Sequence, residues 1–179
     1  MSLRKIYIAG PDVFWPNALA AGAAKTQLCA DYGFDGLFPL DCALQLEALS
    51  PREAGMAIYR ANIELMQRAD LMIANMTPFR GASLDAGTAF ELGFMTGLGK
   101  PVWGYSLDGR LYADRVASDG ADLDAEGLSI ERFDMADNLM LIGAIEECGA
   151  QLLTHQAEDS LDQHLHQFEQ VLQRITRAA

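Results

Sequence analysis

The sequence predicts a doubly wound α/β domain, with a mainly parallel five-stranded sheet and a C-terminal helix. Short apolar runs rich in β-branched and aromatic residues recur at 5–10, 36–40, 70–76 and 101–106. Segments with helical periodicity alternate with them, and Gly, Pro or Asp closes each run. Strand and helix in alternation at such spacing favour parallel strands joined by right-handed crossovers. At 179 residues, one domain over 1–179 is the simplest organisation, with chain enough to bury a sizeable core.

The elements follow in order. "KIYIAG", ended by Gly10 and Pro11, suits a buried first strand. Asn17 can cap a helix through about Tyr32 that turns Ala, Leu and Cys inward. "GLFPL" at 36–40 is a short second strand ending near Asp41. Ser50-Pro51-Arg52-Glu53 has the spacing of a capping box with proline at the first helical position, and Met56, Ile58, Ile63, Leu65 and Met66 follow as its apolar face. "DLMIANM" at 70–76 is nearly unbroken in apolarity, as in a strand covered by helices on both sides. After "TPFRGAS" a helix is predicted over 86–98, stopped by Gly99-Lys100-Pro101 before the strand "PVWGYS". Residues 106–136 are polar and irregular, long enough for a functional or interface loop. The last helix, about 159–177, places Leu161, Leu165, Phe168, Leu172 and Ile175 at spacings of four and three. A flavodoxin-like or Rossmann-like strand order is expected, although periodicity alone does not set it.

Composition narrows the function. Against 25 acidic residues stand 13 basic ones, a net charge of −12 that repels phosphate backbones and argues against a nucleic-acid polymer as partner. No segment approaches the roughly 20 apolar residues of a membrane span, and the apolar run in "MSLRKIYIAG" is too short for a signal peptide, so a cytoplasmic location is expected. Cys29, Cys42 and Cys148 form no metal-binding spacing and read as reduced thiols. Neither G-x-G-x-x-G nor a P-loop occurs, which argues against the usual nucleotide cofactors. "DLDAEG" at 122–127 imitates a calcium loop, but its twelfth position is Phe133 where a bidentate Glu is needed, so it reads as a solvated loop. His155, His164 and His166 read as surface or packing residues.

In an open parallel sheet, ligands bind beyond the carboxyl ends of the strands. The segments leaving those ends bring Asp12, Phe14, Trp15, Asp41, Asn75, Arg80, Asp85 and Glu91 to one rim. Carboxylates and aromatics beside small-residue turns suit a neutral, polar, ring-bearing molecule. Within "SLDAGTAFELG", Asp85 can cap the helix, while Glu91 lies among Ala89, Phe90, Leu92, Phe94 and Met95, where an unpaired charge is costly. The Tyr7 hydroxyl, on a core strand, needs a buried partner that such a carboxylate can supply. Gly10, Asp12, Phe14, Trp15, Asp41, Asn62, Arg80 and Gly87 are expected to bind the substrate, and Tyr7, Asp85 and Glu91 to act on it.

"KIYIAGPDVFWPN", "ADLMIANMTPFRG", "LDAGTAFELGFMTGLGKPV" and "DNLML" together resemble the nucleoside 2-deoxyribosyltransferase family, over residues 4 to about 141. The resemblance implies a flavodoxin-like fold and transfer of 2-deoxyribose between bases through a covalent glycosyl-enzyme, with no metal or coenzyme. It matches Glu91 to the nucleophile, Asp85 to the carboxylate that holds the sugar and Tyr7 to the tyrosine that orients the nucleophile. It matches Asn138 and Met140 to residues inserted into the neighbouring subunit's site, which implies a homo-oligomer, a dimer or an assembly of dimers. A deoxynucleoside and a free nucleobase would be the small-molecule partners. Where some members carry an aspartate, this sequence has Asn62, which leaves proton donation to Asp41, Asp12 or water; Cys42 and Ala43 replace amide residues of some relatives. Phe14 and Trp15 are candidate stacking surfaces, and Arg80 is the only nearby cation visible in the sequence. Two rival readings are an N-glycosidase acting on nucleosides or their 5′-monophosphates and a non-catalytic nucleoside-binding protein. The acidic first loop, with Asp12 and no basic residue, favours a free nucleoside over a phosphate dianion.

Overall fold

Five strands, β1 (Lys5–Ala9), β2 (Asp35–Leu37), β3 (Leu71–Asn75), β4 (Val102–Ser106) and β5 (Leu152–Thr154), form one sheet in the order β2-β1-β3-β4-β5. Every neighbouring pair is parallel, so the sheet is wholly and not merely mainly so. This order is that of flavodoxin-like folds. The computed structural model describes residues 3–41, 45–116, 118 and 122–178.

Six α-helices are described: α1 (Ala18–Asp31), α2 (Pro51–Arg68), α3 (Ala86–Gly97), α4 (Tyr112–Arg115), α5 (Leu139–Glu147) and α6 (Leu161–Ala178). Contacts place α1 and α6 on one face of the sheet and α2, α3 and α5 on the other. β3 and β4 are buried along their whole length, the burial that their unbroken apolar sequence anticipates. The heptad-like stripe of α6 buries Phe168, Val171, Leu172 and Ile175 against β3 and β4.

Local signals translate into local structure with some exceptions. The Ser50 hydroxyl accepts from the Glu53 amide, and the Glu53 carboxylate accepts from the Ser50 amide at 2.9 Å, closing the capping box. Only Leu65 and Met66 of α2 are buried; Met56 and Ile58, expected inward, are exposed because α2 meets the sheet mainly through its last turns. Asn17 occupies the cap of α1 without a side-chain hydrogen bond.

Three elements escaped the sequence reading. β5 is three residues long and partly exposed, too short to show a period. α5 is a nine-residue helix whose apolar residues lie on most sides, leaving no clear stripe. The stretch 106–136 is not wholly irregular, since it contains α4 and a bridge between Leu123 and Ser129. Asp124 in the acidic run turns back on its own backbone, accepting from Glu126 and Leu128 amides at 2.9 Å each. None of the described helices is long and apolar enough to cross a membrane.

Candidate active site

β1 and β3 are neighbours, but the chain leaves β1 toward α1 on one face and β3 toward α3 on the other. A crevice therefore opens between their carboxyl ends. Gly10 makes the exit from β1 at φ 150°, and a Cβ there would lie 2.6 Å from the Asn75 Cβ and 2.7 Å from Asp12 Oδ2. Both conformation and space demand glycine.

Tyr7 is fully buried in β1, and its hydroxyl donates to Glu91 Oε1 at 2.6 Å. Glu91 projects from the second turn of α3 into this partly buried place. Burial pushes its pKa up to about 7; the Tyr7 hydrogen bond opposes that rise and the charge of Asp85 adds to it. The tyrosine thus restrains a shift that it does not cancel. Asp85 caps α3, its Oδ2 accepting from the Thr88 amide at 3.0 Å and the Thr88 hydroxyl at 3.2 Å. A Cβ on Gly87 would come within 3.0 Å of that same oxygen, so glycine there leaves the cap undisturbed.

The rim carries an aromatic platform. Phe14, exposed at 56%, stacks on Phe79 with centroids 5.4 Å apart and planes within 9°. The Arg80 guanidinium lies over both rings, 4.6 Å from Phe79 and 5.3 Å from Phe14. Arg80 itself adopts φ 56°, a left-handed conformation uncommon outside glycine and one seen at functional turns. Trp15 instead packs on His164, with centroids 4.8 Å apart. Asn62, partly buried on α2, has a buried side-chain oxygen without a hydrogen-bond partner. The side chain of Asp41, with Cys42 and Ala43, lies outside the described residues.

Asp12 does not face the crevice as expected. It is fully buried, with Oδ2 accepting from Lys25 Nζ at 2.7 Å and Oδ1 from Asn75 at 3.1 Å. Lys25, equally buried, also donates to the Tyr105 hydroxyl at 2.9 Å and sits over the rings of Trp15, Tyr105 and Phe168. Asn75 reaches His164 Nδ1 at 3.3 Å, and His164 Nε2 lies 2.7 Å from Asp159. Burial lowers the pKa of His164 despite the nearby carboxylates. Arg80 is therefore not the only cation near this rim, and His164, expected at the surface or in packing, packs against Trp15 and Tyr105 and also joins a buried chain of hydrogen bonds. Lys25 was detectable: it falls on the stripe of Ala18, Ala21, Gly22 and Cys29, where a lone charge demands a partner.

Asn138 begins α5, its Oδ1 accepting from the Met140 amide at 3.0 Å and its Nδ2 donating to Glu131 at 2.7 Å. Met140 is 71% exposed. Among the described residues no group of three or more His, Cys, Asp or Glu is placed to hold a metal ion.

The model of the nucleoside 2-deoxyribosyltransferase family matches residues 6–140. A 2-deoxyribosyltransferase structure from Leishmania mexicana is 32% identical, covers 93% of this chain and 97% of its own, and superposes with a TM-score of 0.67. A 2-deoxyribosyltransferase from Bacillus psychrosaccharolyticus is 27% identical over 62% of this chain and 81% of its own, with a TM-score of 0.50. An uncharacterized protein of Schizosaccharomyces pombe is 34% identical over 164 residues, 80% of this chain and 78% of its own. A CMP N-glycosidase from Clostridium botulinum shares the fold at 10% identity, covering 93% of this chain and 98% of its own, with a TM-score of 0.50.

Proposed function

The chain belongs to the nucleoside 2-deoxyribosyltransferase family, and from that premise we propose that it transfers 2-deoxyribose between nucleobases through an ester on Glu91. Membership makes it a glycosyl-transferring enzyme of flavodoxin-like fold. The observation that carries the finer reading is the 2.6 Å hydrogen bond from Tyr7 to Glu91 beside the Asp85 cap.

In the first step Glu91 Oε2 attacks C1′ of the donor as the C1′–N bond breaks, and the base leaves with the bonding electrons and takes up a proton. Positive charge developing at C1′ is stabilised by the carboxylate before the bond to it closes. Tyr7 holds Oε1 and so aims the other oxygen. Asp85, with Oδ2 engaged in capping, offers Oδ1 to a sugar hydroxyl. In the second step a nitrogen of the incoming base attacks C1′, the ester opens to restore the Glu91 carboxylate, and that nitrogen loses its proton. Two inversions give net retention.

The exposed Phe14, stacked on Phe79, supports a role as a surface for a base, and the unsatisfied oxygen of Asn62 supports a hydrogen bond to its edge. Gly10 leaves room for Asn75 and Asp12, and Gly87 for the Asp85 carboxylate. A free nucleoside is favoured over a monophosphate, because residues 11–15 carry no basic side chain and Lys25 beneath them is engaged by Asp12. The exposure of Met140 supports a homo-oligomer in which Asn138 and Met140 are lent to the neighbouring site.

Incubating the purified protein with deoxyinosine, with and without adenine, tests the reading by chromatography. Deoxyadenosine formed only when adenine is present is expected. Hypoxanthine with free deoxyribose and no new nucleoside would replace transfer with hydrolysis.

A further inference from the structure

Arg115 and Asp137 form a second buried charge pair away from the crevice floor, with side chains 3% and 2% exposed and Nη2 3.5 Å from Oδ2. The guanidinium donates from Nε to the Ala82 carbonyl at 2.8 Å, from Nη1 to Arg110 at 3.1 Å and from Nη2 to Ala136 at 2.5 Å. Three separate stretches of chain meet on one side chain. The Asp137 carboxylate is shared in a similar way. Oδ2 accepts from the Leu84 amide at 3.1 Å, while Oδ1 accepts from the Ser83 hydroxyl and from the Asn138 amide at 2.8 Å.

These partners have a common feature. Ser83 and Leu84 immediately precede Asp85, which begins α3 and is read as the sugar-holding carboxylate of the chain's own site. Asn138, directly after Asp137, begins α5 and is read as the residue lent to the neighbour. One buried carboxylate therefore grips the entry to both pieces of machinery. Burying this pair is costly, and simple packing could be achieved with apolar side chains. A fork of donors against shared acceptors instead holds backbone in a defined place.

We propose that Asp137, held by Arg115, is a positioning residue for two active sites at once: its own, through Leu84 and Asp85, and the neighbouring subunit's, through Asn138. This rests on the shared-site reading above. It makes a prediction that neither a purely local role nor the shared site alone makes. In mixed oligomers, Glu91→Gln and Asn138→Ala subunits should complement each other, because one site of the pair then receives an intact nucleophile and an intact Asn138. An Asp137→Asn subunit should complement neither, since it spoils the site it houses and the arm it donates.

The test prepares the three variants with two purification tags, isolates hybrids of each pair, and compares deoxyribosyl transfer with the parent oligomers. Asp137→Asn alone should lose activity on the order of 100-fold, the scale of a small misplacement of reacting groups. The Glu91→Gln/Asn138→Ala hybrid should regain about half of the wild-type rate, one site of two. Hybrids containing Asp137→Asn should stay at the level of their parents. Recovery of an Asp137→Asn hybrid with either partner would overturn the dual role and assign the residue to one site. Failure of the Glu91→Gln/Asn138→Ala hybrid, with subunit exchange confirmed, would remove the shared site and the proposal with it. If Asp137→Asn does not fold, Arg115→Lys, which keeps the charge and loses the fork, takes its place under the same criteria.

Discussion

The Tyr7 hydroxyl donates a 2.6 Å hydrogen bond to Glu91 across 84 residues of sequence, joining the first strand to the third helix. A fully buried phenol aimed at a partly buried carboxylate fixes where that carboxylate lies. It also influences when the carboxylate is charged.

Replacing Glu91 with Gln should leave the fold intact, because the amide can still accept from Tyr7. Transfer should fall on the order of 10³-fold or more, and the glycosyl-enzyme should vanish from mass spectra of quenched reactions. Near-normal turnover would refute the nucleophile assignment.

The pKa of about 7 at Glu91 sets an acid limb on kcat/KM in the free enzyme, with activity falling as pH drops below that value. Tyr7→Phe removes the interaction that opposes the rise, so the limb should move to higher pH. A pH–rate profile that keeps its acid limb in the Tyr7→Phe protein would sever the link. The stability sign is opposite. A carboxylate whose folded pKa lies above its ordinary 4.5 contributes stability in full below 4.5 and loses it as pH rises through about 7. Glu91→Gln should therefore gain stability relative to wild type between pH 5 and 8, measured by denaturant melts.

Lys25→Met strands the buried Asp12 carboxylate and should cost about 3–5 kcal/mol. Adding Asp12→Asn to it should recover a substantial part of that loss, since the charge left without a partner is then gone. A double variant as unstable as Lys25→Met alone would contradict the pairing seen here. Transfer by Asp12→Asn, assayed where it is fully folded, should persist if Asp12 supports the first loop from below rather than protonating the base.

His164 provides a further pH test. Burial depresses its pKa below the ordinary 6.5, so its contribution to stability is present above 6.5 and is lost as pH falls through the lowered value. Asp159, Asp12 and Lys25 surround it and modulate that shift. A His164→Gln protein should lose less stability than wild type on acidification below pH 6.5. Comparing the two at each pH cancels the opposing trend from Glu91. Parallel pH curves would show that His164 titrates alike in the folded and unfolded chains.

Much of this architecture is legible in the chain because it is encoded over a few residues. Ser50 and Glu53 close a capping box from side chains three positions apart, and the stripe of α6 repeats every turn. Asp85 announces a helix start whether or not it binds a sugar. β5 and α5 were missed for the same reason, being too short or too uniformly apolar to display a period. Rim residues, Phe14, Arg80, Asp85 and Glu91 with Asp12 among them, were expected from the general placement of ligands at strand ends. That expectation failed for Asp12, because position in a loop does not say which way a side chain turns.

By itself, the sequence determined the alternation of strands and helices, the caps, the apolar faces and the family motifs. The pairing of Tyr7 with Glu91 was anticipated and the structure gives its geometry, but only the tertiary structure decided Lys25 for Asp12 and Arg115 for Asp137. The reason is the range of the forces involved. Helix capping and periodic burial depend on neighbours along the chain, whereas a buried polar group must be satisfied by whatever strand order and helix packing bring within about 3 Å of it.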